Sequence, residues 1–585
     1  MSGLRSLLTE TPEYLTTESG LAIFLEGTIL GPTAPDRRFI LVEIEAYKPG
    51  GVTLTLDQGH GTHPHGTLAQ LGGALEATDT IRASDIGYRT APADVGGPVP
   101  YPPLLSDALQ IDNKVYLEGP QAAVSAAWGN AVLANPDRYY DSIPASWNSD
   151  ARPVRILTGL KTWDRWRQYY VDPPYDSLTL MFAGRARPWF LSETALTIPL
   201  RDASYWLDRA YQTATYGGTG GYDGTVALTG KPIPRTRGGT ALYPVLNVTP
   251  TLVDPVNRIY QYNDARGTVV ALYEGGALTI TFQSDTTNLY SGTTTPGQYR
   301  TDNSRGLFQL GSPPAPAYAI TADVTGQFPV AGAITTTAAI ARYMMTEDML
   351  LPLASIDLAS FTVAAIAYPY VAGMYFDSSA SPSGIDVISV MLGGFGARLI
   401  ARRDGTLAAF VLRALTGSEM PATTLDASNL ASLVSRQLPA SLDPPPSRSR
   451  YQYARNYTIQ TSGLNTATAT AAHIQAIAQA GQVAARSSSP VLIAYRNPND
   501  RGPISGALLK ESDAQAVADA DLALWGVRRR IYDASVPTEL AMDLDIGDVV
   551  SLRYAMDDLL SGRLGRIIGY QFKPSETSAT FQLLV

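Results

Sequence analysis

The sequence predicts a mainly β protein with an α+β insertion, built as several β-barrel or β-sandwich domains. Three observations predict it. Gly (51) and Pro (41) together punctuate the chain at nearly one residue in six. Charged residues are 17%, against about 25% in ordinary soluble domains, which argues against long solvated helices. Tyr reaches 32, and apolar residues repeatedly alternate with polar ones at the period-2 spacing of half-buried strands. At 585 residues the chain has room for three to five domains.

The elements follow in order. Phe39 to Tyr47 and Gly51 to Asp57 read as strands around a Lys-Pro-Gly-Gly turn, the second alternating Val52, Leu54 and Leu56 with Thr53 and Thr55. Ala91 to Leu105 is dense in Pro and Gly and reads as an extended connector. Asn113 to Leu117 and Ala122 to Leu133 resume the strand pattern, and VRILTGL, SLTLMFAGRAR and TALTIPLRD continue it. TYGGTGGYDGTVALTGKPIPRTRGG is a long irregular loop of the interface or functional type. Helices are expected from about Thr337 to Leu350 and over ASFTVAAIAY. A helix, a strand, the Asp404-Gly405 turn and a second strand come next, a hairpin signal. After the Pro439 to Arg450 linker, a helix starts at Ser512. Ser512 is read as its N-cap with Gln515 three residues on, and Ala514, Val517, Ala520, Leu524 and Val527 as its apolar stripe. A strand meander closes the chain. In it Asp543 and Asp545 share one strand face.

Composition removes whole classes of function. The charge is 44 basic minus 53 acidic residues, −9, with no basic block, a poor match for nucleic-acid binding. Cysteine is absent, which excludes disulfides, thiolate zinc, cysteine-held clusters and thiol nucleophiles. The N-terminus has no apolar run of signal-peptide length, and no run approaches about 18 apolar residues. The expectation is synthesis in a cytoplasm without export, and no membrane insertion by this chain.

Few motifs carry chemistry. His60, His63 and His65 stand beside Asp57, a spacing that suits a metal held through imidazoles, but on a loop without preset geometry. A solvated loop tip is the preferred reading. GTVALTGKP has five residues between its glycines where a phosphate loop has four, and Pro232 where that loop has a hydroxyl. Asp543, Asp545 and Asp548, and Asp557 with Asp558, raise the question of a paired-acid glycosidase; an exposed strand face and turn is preferred. His473 is expected to cap or pack. Trp163, Trp166, Tyr169, Tyr170 and Tyr175 crowd one region, as sugar platforms or, preferably, as an interface. No catalytic, cofactor-binding or metal residue is assigned, and no cofactor is expected.

Gly184 to Asp202 and Gly565 to Val585 echo one another: Gly-Arg, an apolar run, Ser-Glu-Thr, an alternating run. Two related barrels with helices between them, or two unrelated hairpins, explain this.

Three passages resemble one family. They are Ala131 to Leu160, Gly230 to Ala265, and Asp543 to Phe572 with its Gly-Asp-Val-Val turn and Gly-x-x-Gly-Arg hairpin; the unit over residues 383–413 also fits. In this order they resemble the tail-tip or baseplate hub proteins of tailed bacteriophages and gene transfer agents, over about residues 120–585. Some tail-tip proteins hold an iron–sulfur cluster through cysteines, and this chain departs from them. The resemblance implies two hub-type barrels with a helical block between them. Residues 1–155 would be an N-terminal β-rich domain or arm, and 156–330 a first barrel with long Gly/Tyr/Thr-rich loops. Residues 331–438 would be an α+β block, and 451–585 a second barrel with a helix near 512–528. It implies a non-enzymatic ring, a homotrimer, that closes the distal end of the tail tube in the virion after assembly in the host cytoplasm. Its partners would be copies of itself, the tail tube or distal tail protein, and a central fibre or spike, with DNA only as passing cargo. A surplus of carboxylates suits a lumen through which DNA slides. A hexameric distal-tail ring or fibre adaptor, and a carbohydrate-active enzyme or cell-wall hydrolase, are the alternatives.

Overall fold

The computed structural model describes residues 15–16, 22–23, 36–48, 78–115, 117, 125–164, 166–326, 334–379 and 381–585. The strand expected over Gly51 to Asp57 lies outside them. The chain is mainly β, with several sheets and few helices. It packs as two units, one of residues 1–110 and 128–201, the other of 111–127 and 202–585.

The first unit is a nine-stranded sheet. Seven strands run Thr78–Ser84, Arg37–Tyr47, Pro153–Asp164, Thr179–Ala186, Ala195–Arg201, Asn130–Ala134, Leu105–Asp107, every neighbour antiparallel, while Tyr169–Val171 pairs with Pro153–Asp164 and Phe190–Leu191 with Ala195–Arg201 off this path. The run Phe39–Leu41–Val42–Ile44 is wholly buried, as expected of a central strand gripped on both edges. The stretch from Ala91 to Leu104 is irregular apart from the short strand Pro100–Tyr101, because Pro cannot donate to a ladder, and Leu105 already opens the strand Leu105–Asp107. Ala122 to Leu133 is not one strand. Gly129, at φ +66°, breaks it, and a Cβ there would meet the Gln110 backbone at 3.1 Å. Ser125–Ala127 therefore leaves for the second unit, and Asn130–Ala134 stays in the first.

The second unit holds two five-stranded sheets, a terminal eight-stranded sheet, smaller sheets and most of the helices. In one five-stranded sheet Ile320–Gly326 lies between Val245–Val248 and Arg235–Gly238, Gly373–Phe376 follows, and Gly267–Glu274 also pairs with Ile320–Gly326. The other runs Thr251–Asp254, Ile259–Gln261, Leu307–Leu310, Gln298–Asp302, Thr281–Asp285. A core of Val245, Tyr262, Leu272, Phe308, Ala322 and Val324 joins these two sheets. Tyr260 stacks on Phe308 at 5.2 Å.

Where three strands of the first of these sheets meet, glycines stand opposite one another: Gly238 faces Gly326 on one side and Gly373 on the other. A Cβ on Gly326 would come within 2.3 Å of the Thr236 carbonyl oxygen. The backbones approach too closely for any side chain.

The helical elements fall where periodicity puts them, with differences at their ends. Thr337–Tyr343 is α-helical, but Met344–Asp348 continues as a π-turn, which swings Asp348 inward. Leu358–Ala367 and Gly384–Gly393 follow. The Asp404-Gly405 turn joins Ala397–Ala401 to Leu407–Val411. The long helix is Glu511–Trp525, with Lys510 at its N-cap, so Ser512 lies inside it and caps nothing. Ala514, Val517 and Leu524 are buried as the stripe requires; Val527 is past the helix end and exposed.

The terminal sheet runs Thr423–Leu425, Val549–Leu552, Arg563–Phe572, Ser578–Leu584, Ile531–Pro537, Ser432–Arg436. Ala579, Phe581 and Leu583 point inward at period 2. Ile111–Lys114 adds a further strand to Arg563–Phe572, and Ser125–Ala127 pairs with it in turn. The echoed passages are both antiparallel hairpins with Ser-Glu-Thr at the turn.

Candidate functional site

The acids do not form a cleft. Residues 542–548 are not a strand: Thr538–Ala541 is a short helix and the chain then turns. Gly547, at φ +100°, and Asp548 set that turn; Asp548 Oδ2 accepts from the Asp545 amide at 2.8 Å. Asp543 is exposed. Burial pushes the Asp545 carboxyl up, and Arg403 opposes it. Asp557 accepts from the Tyr532 hydroxyl at 2.6 Å, while Asp558 accepts from Arg530 at 2.8 Å and Arg563 at 2.6 Å. The carboxylates of Asp545, Asp548, Asp557 and Asp558 are engaged in turns, hydrogen bonds and ion pairs.

His60, His63 and His65 lie outside the described residues. Among the described residues no three His, Cys, Asp or Glu side chains gather to hold a metal. His473 packs: its ring stacks on Tyr273 at 4.4 Å, and its amide is capped by Thr470. No helix follows Gly230-Lys231-Pro232, so a phosphate loop is not formed there. Among the described residues no helix is long and apolar enough to cross a membrane.

The aromatic cluster divides. Tyr175 turns inward, donating to Glu43 at 2.7 Å beside Tyr101, which donates to the same oxygen at 2.6 Å. Burial, then that carboxylate, pushes the Tyr175 hydroxyl up to about 12. Trp163 and Tyr170 meet edge to face at 5.0 Å across the hairpin of Pro153–Asp164 and Tyr169–Val171. Trp166, at the tip, is 77% exposed, and Tyr169 and Val171 are exposed too.

A second outward surface belongs to the helix Leu358–Ala367, LASFTVAAIA, which carries no charge. It buries only Phe361 and Ala364. Val363 and Ile366 are 65% and 75% exposed, with Leu353 and Leu358 also exposed. A helix apolar on all sides is ordinarily buried on all sides.

Sequence reasoning missed one constellation. Arg235 and Arg237 alternate on the strand Arg235–Gly238 and so share a face. Arg235 Nε donates to Asp264 at 2.6 Å, and Arg237 Nη1 to the other Asp264 oxygen at 3.0 Å. Asp348 accepts twice from Arg237 and once from the Tyr211 hydroxyl, at 2.5 Å. The Tyr211 ring lies under the Arg235 guanidinium at 4.9 Å. Two cations face two anions, all buried, so the group is balanced. It ties strand, loop and π-turn together. Its one trace in the sequence is the pair of arginines in a chain otherwise poor in charge.

No family model and no curated protein matches the chain. Solved structures similar to it include a tail protein from Neisseria meningitidis MC58, 11% identical over 84% of this chain and 94% of that one, with a TM-score of 0.34. A 43 kDa tail protein of prophage MuSo2 from Shewanella oneidensis is 9% identical over 82% and 94%, with a TM-score of 0.32. A chain of the virion of a native gene transfer agent particle is 14% identical over 61% and 84%, with a TM-score of 0.33.

Proposed function

We propose that this chain is a structural, non-enzymatic part of a phage-type tail tip or baseplate hub. In this reading copies of it form a ring, a homotrimer, at the distal end of the tail tube. The ring continues the DNA-ejection channel and anchors a central fibre or spike. The observation that carries the reading is the uncharged helix Leu358–Ala367, which leaves Val363 and Ile366 in water. An apolar face of this kind is what a permanent assembly covers. The Trp166 hairpin offers a second such surface, of the aromatic type that anchors interfaces. The collinear hub-like passages supply the identity of the assembly, and the engagement of the acids in turns and ion pairs supports a non-catalytic role.

The test is mass photometry of the chain with its tail partners, and electron microscopy of the particle. The reading predicts a closed ring of three. A ring of six supports a distal-tail ring or fibre adaptor. Val363→Lys with Ile366→Glu keeps the fold and loses the ring; a ring that survives both changes sinks the role given to this helix.

A further inference from the structure

We infer that the exposed face of the helix Leu358–Ala367 is covered by the short helix Ser489–Ala494 of the next copy of this chain. The pairing rests on the ring proposed for the chain, and names the two surfaces that meet in it. A closed ring of three or more identical copies is held by head-to-tail contacts, so each copy must carry two different surfaces that fit one another. The second unit carries both.

The helix Ser489–Ala494, SPVLIA, has no charge, like Leu358–Ala367. Pro490 opens it, with φ already set for a helix. It buries only Val491, and leaves Leu492 56% and Ile493 86% exposed. These side chains are held outward by a fixed backbone. The Ser488 amide donates to the Ser447 carbonyl at 2.8 Å, and the Asn499 side chain donates to the Ala440 and Pro444 carbonyls at 2.8 and 2.7 Å. The opposite face is held as firmly. Asp357 caps Leu358–Ala367 through the Ser360 amide at 3.2 Å, and the Ser360 hydroxyl accepts from the Ala409 amide at 3.0 Å. Val363 and Ile366 on one copy thus match Leu492 and Ile493 on the next in chemistry, aliphatic against aliphatic, with little ordering left to do on contact.

One charge of each sign completes the match. Glu347 is exposed in the π-turn that continues Thr337–Tyr343, the helix packed on Leu358–Ala367. Arg496 is exposed just past Ala494. Neither has an ion-pair partner among the described residues. Opposite charges at the rim of an apolar contact fix its register and reject the wrong pairing, helix Leu358–Ala367 against its own copy.

The experiment uses the absence of cysteine from the chain. Ile366→Cys, Ile493→Cys and the double variant are each assembled as full chains with the tail partners, treated with a short bifunctional maleimide, and run on a denaturing gel. Both positions are exposed, so the fold should tolerate the changes. The double variant should link into species up to the whole ring. A mixture of the two single variants should link into dimers and no further, and each single variant alone should stay unlinked. A single variant that links to itself overturns the pairing. So does an assembled ring, seen by mass photometry, in which the double variant stays unlinked; the ring itself then stands. No ring with the wild-type chain overturns the ring, and the pairing with it.

Discussion

Arg237 grips Asp348 with two parallel bonds, Nε to Oδ2 at 2.9 Å and Nη2 to Oδ1 at 2.7 Å. The two side chains are only 4% and 6% exposed. Removing the charge of one partner strands the arginines in the interior. Asp348→Asn should cost about 3–5 kcal/mol, measured by denaturant unfolding. Burial pushes the Asp348 carboxyl up, but Arg237 and Arg235 together bring it below its ordinary 3.8. A depressed carboxyl stabilises the fold above its unfolded pKa, and that stability is lost as pH falls through the folded value. The gap between wild type and variant should therefore shrink below pH 3.8.

Gly326→Ala should break the sheet where the three glycines meet. Its Cβ would face the Thr236 carbonyl at 2.3 Å, a backbone atom that cannot rotate away. A loss of at least about 1–3 kcal/mol is expected in denaturant unfolding. A variant as stable as wild type would refute the close approach.

Two serines separate a cap from a look-alike. Ser383 caps Gly384–Gly393, accepting from the Asp386 amide at 3.3 Å and donating to its carboxylate at 2.6 Å. Ser383→Ala should cost about 1 kcal/mol. Ser512→Ala should stay within about 0.5 kcal/mol of wild type. Equal losses in thermal unfolding would contradict the assignment of the caps.

Asp545 has the opposite sign to Asp348. Its carboxyl is raised, so the folded state penalises the ionised form, and stability is lost as pH climbs through the folded pKa. Asp545→Asn should match or exceed wild-type stability at pH 7, and the difference should vanish below the ordinary value of 3.8. Neither the wild type nor Asp543→Ala or Asp548→Ala should release peptidoglycan fragments. Release by the wild type that is lost in the variants would revive the hydrolase reading.

Trp166→Ala should leave stability within about 0.5 kcal/mol, since its ring is mostly in water. Assembly with tail partners, followed by mass photometry, should weaken. Unchanged assembly would remove the hairpin from the interface.

What the sequence disclosed was local. The Asp404-Gly405 turn and the buried run from Phe39 follow from neighbours in the chain, and both elements stand where they were expected. The cap at Ser512 failed because a Ser-x-x-Gln pattern does not say which residue leaves the helix first; the chain enters two residues earlier, at Lys510. The strand through Asp543 failed because Gly547 permits a left-handed turn that alternation alone does not reveal. The ion lock was illegible for a different reason. Asp348 meets Arg237 from 111 positions away, and only because a π-turn rotates it inward. The helix Leu358–Ala367 was legible as a helix, but its lack of a partner on one face is a property of packing.

The strand Ile111–Lys114 lies against Arg563–Phe572 in the terminal sheet, and Gln571 reaches Asp112 across 459 positions. This pairing sets a clock on synthesis. At about 5–20 residues per second, the early strand waits on the order of 25–90 s for the ladder it joins to leave the ribosome. Until then its edge is bare. A cell making many copies must keep those edges apart, and slowing translation late in the message should increase aggregation of nascent chains.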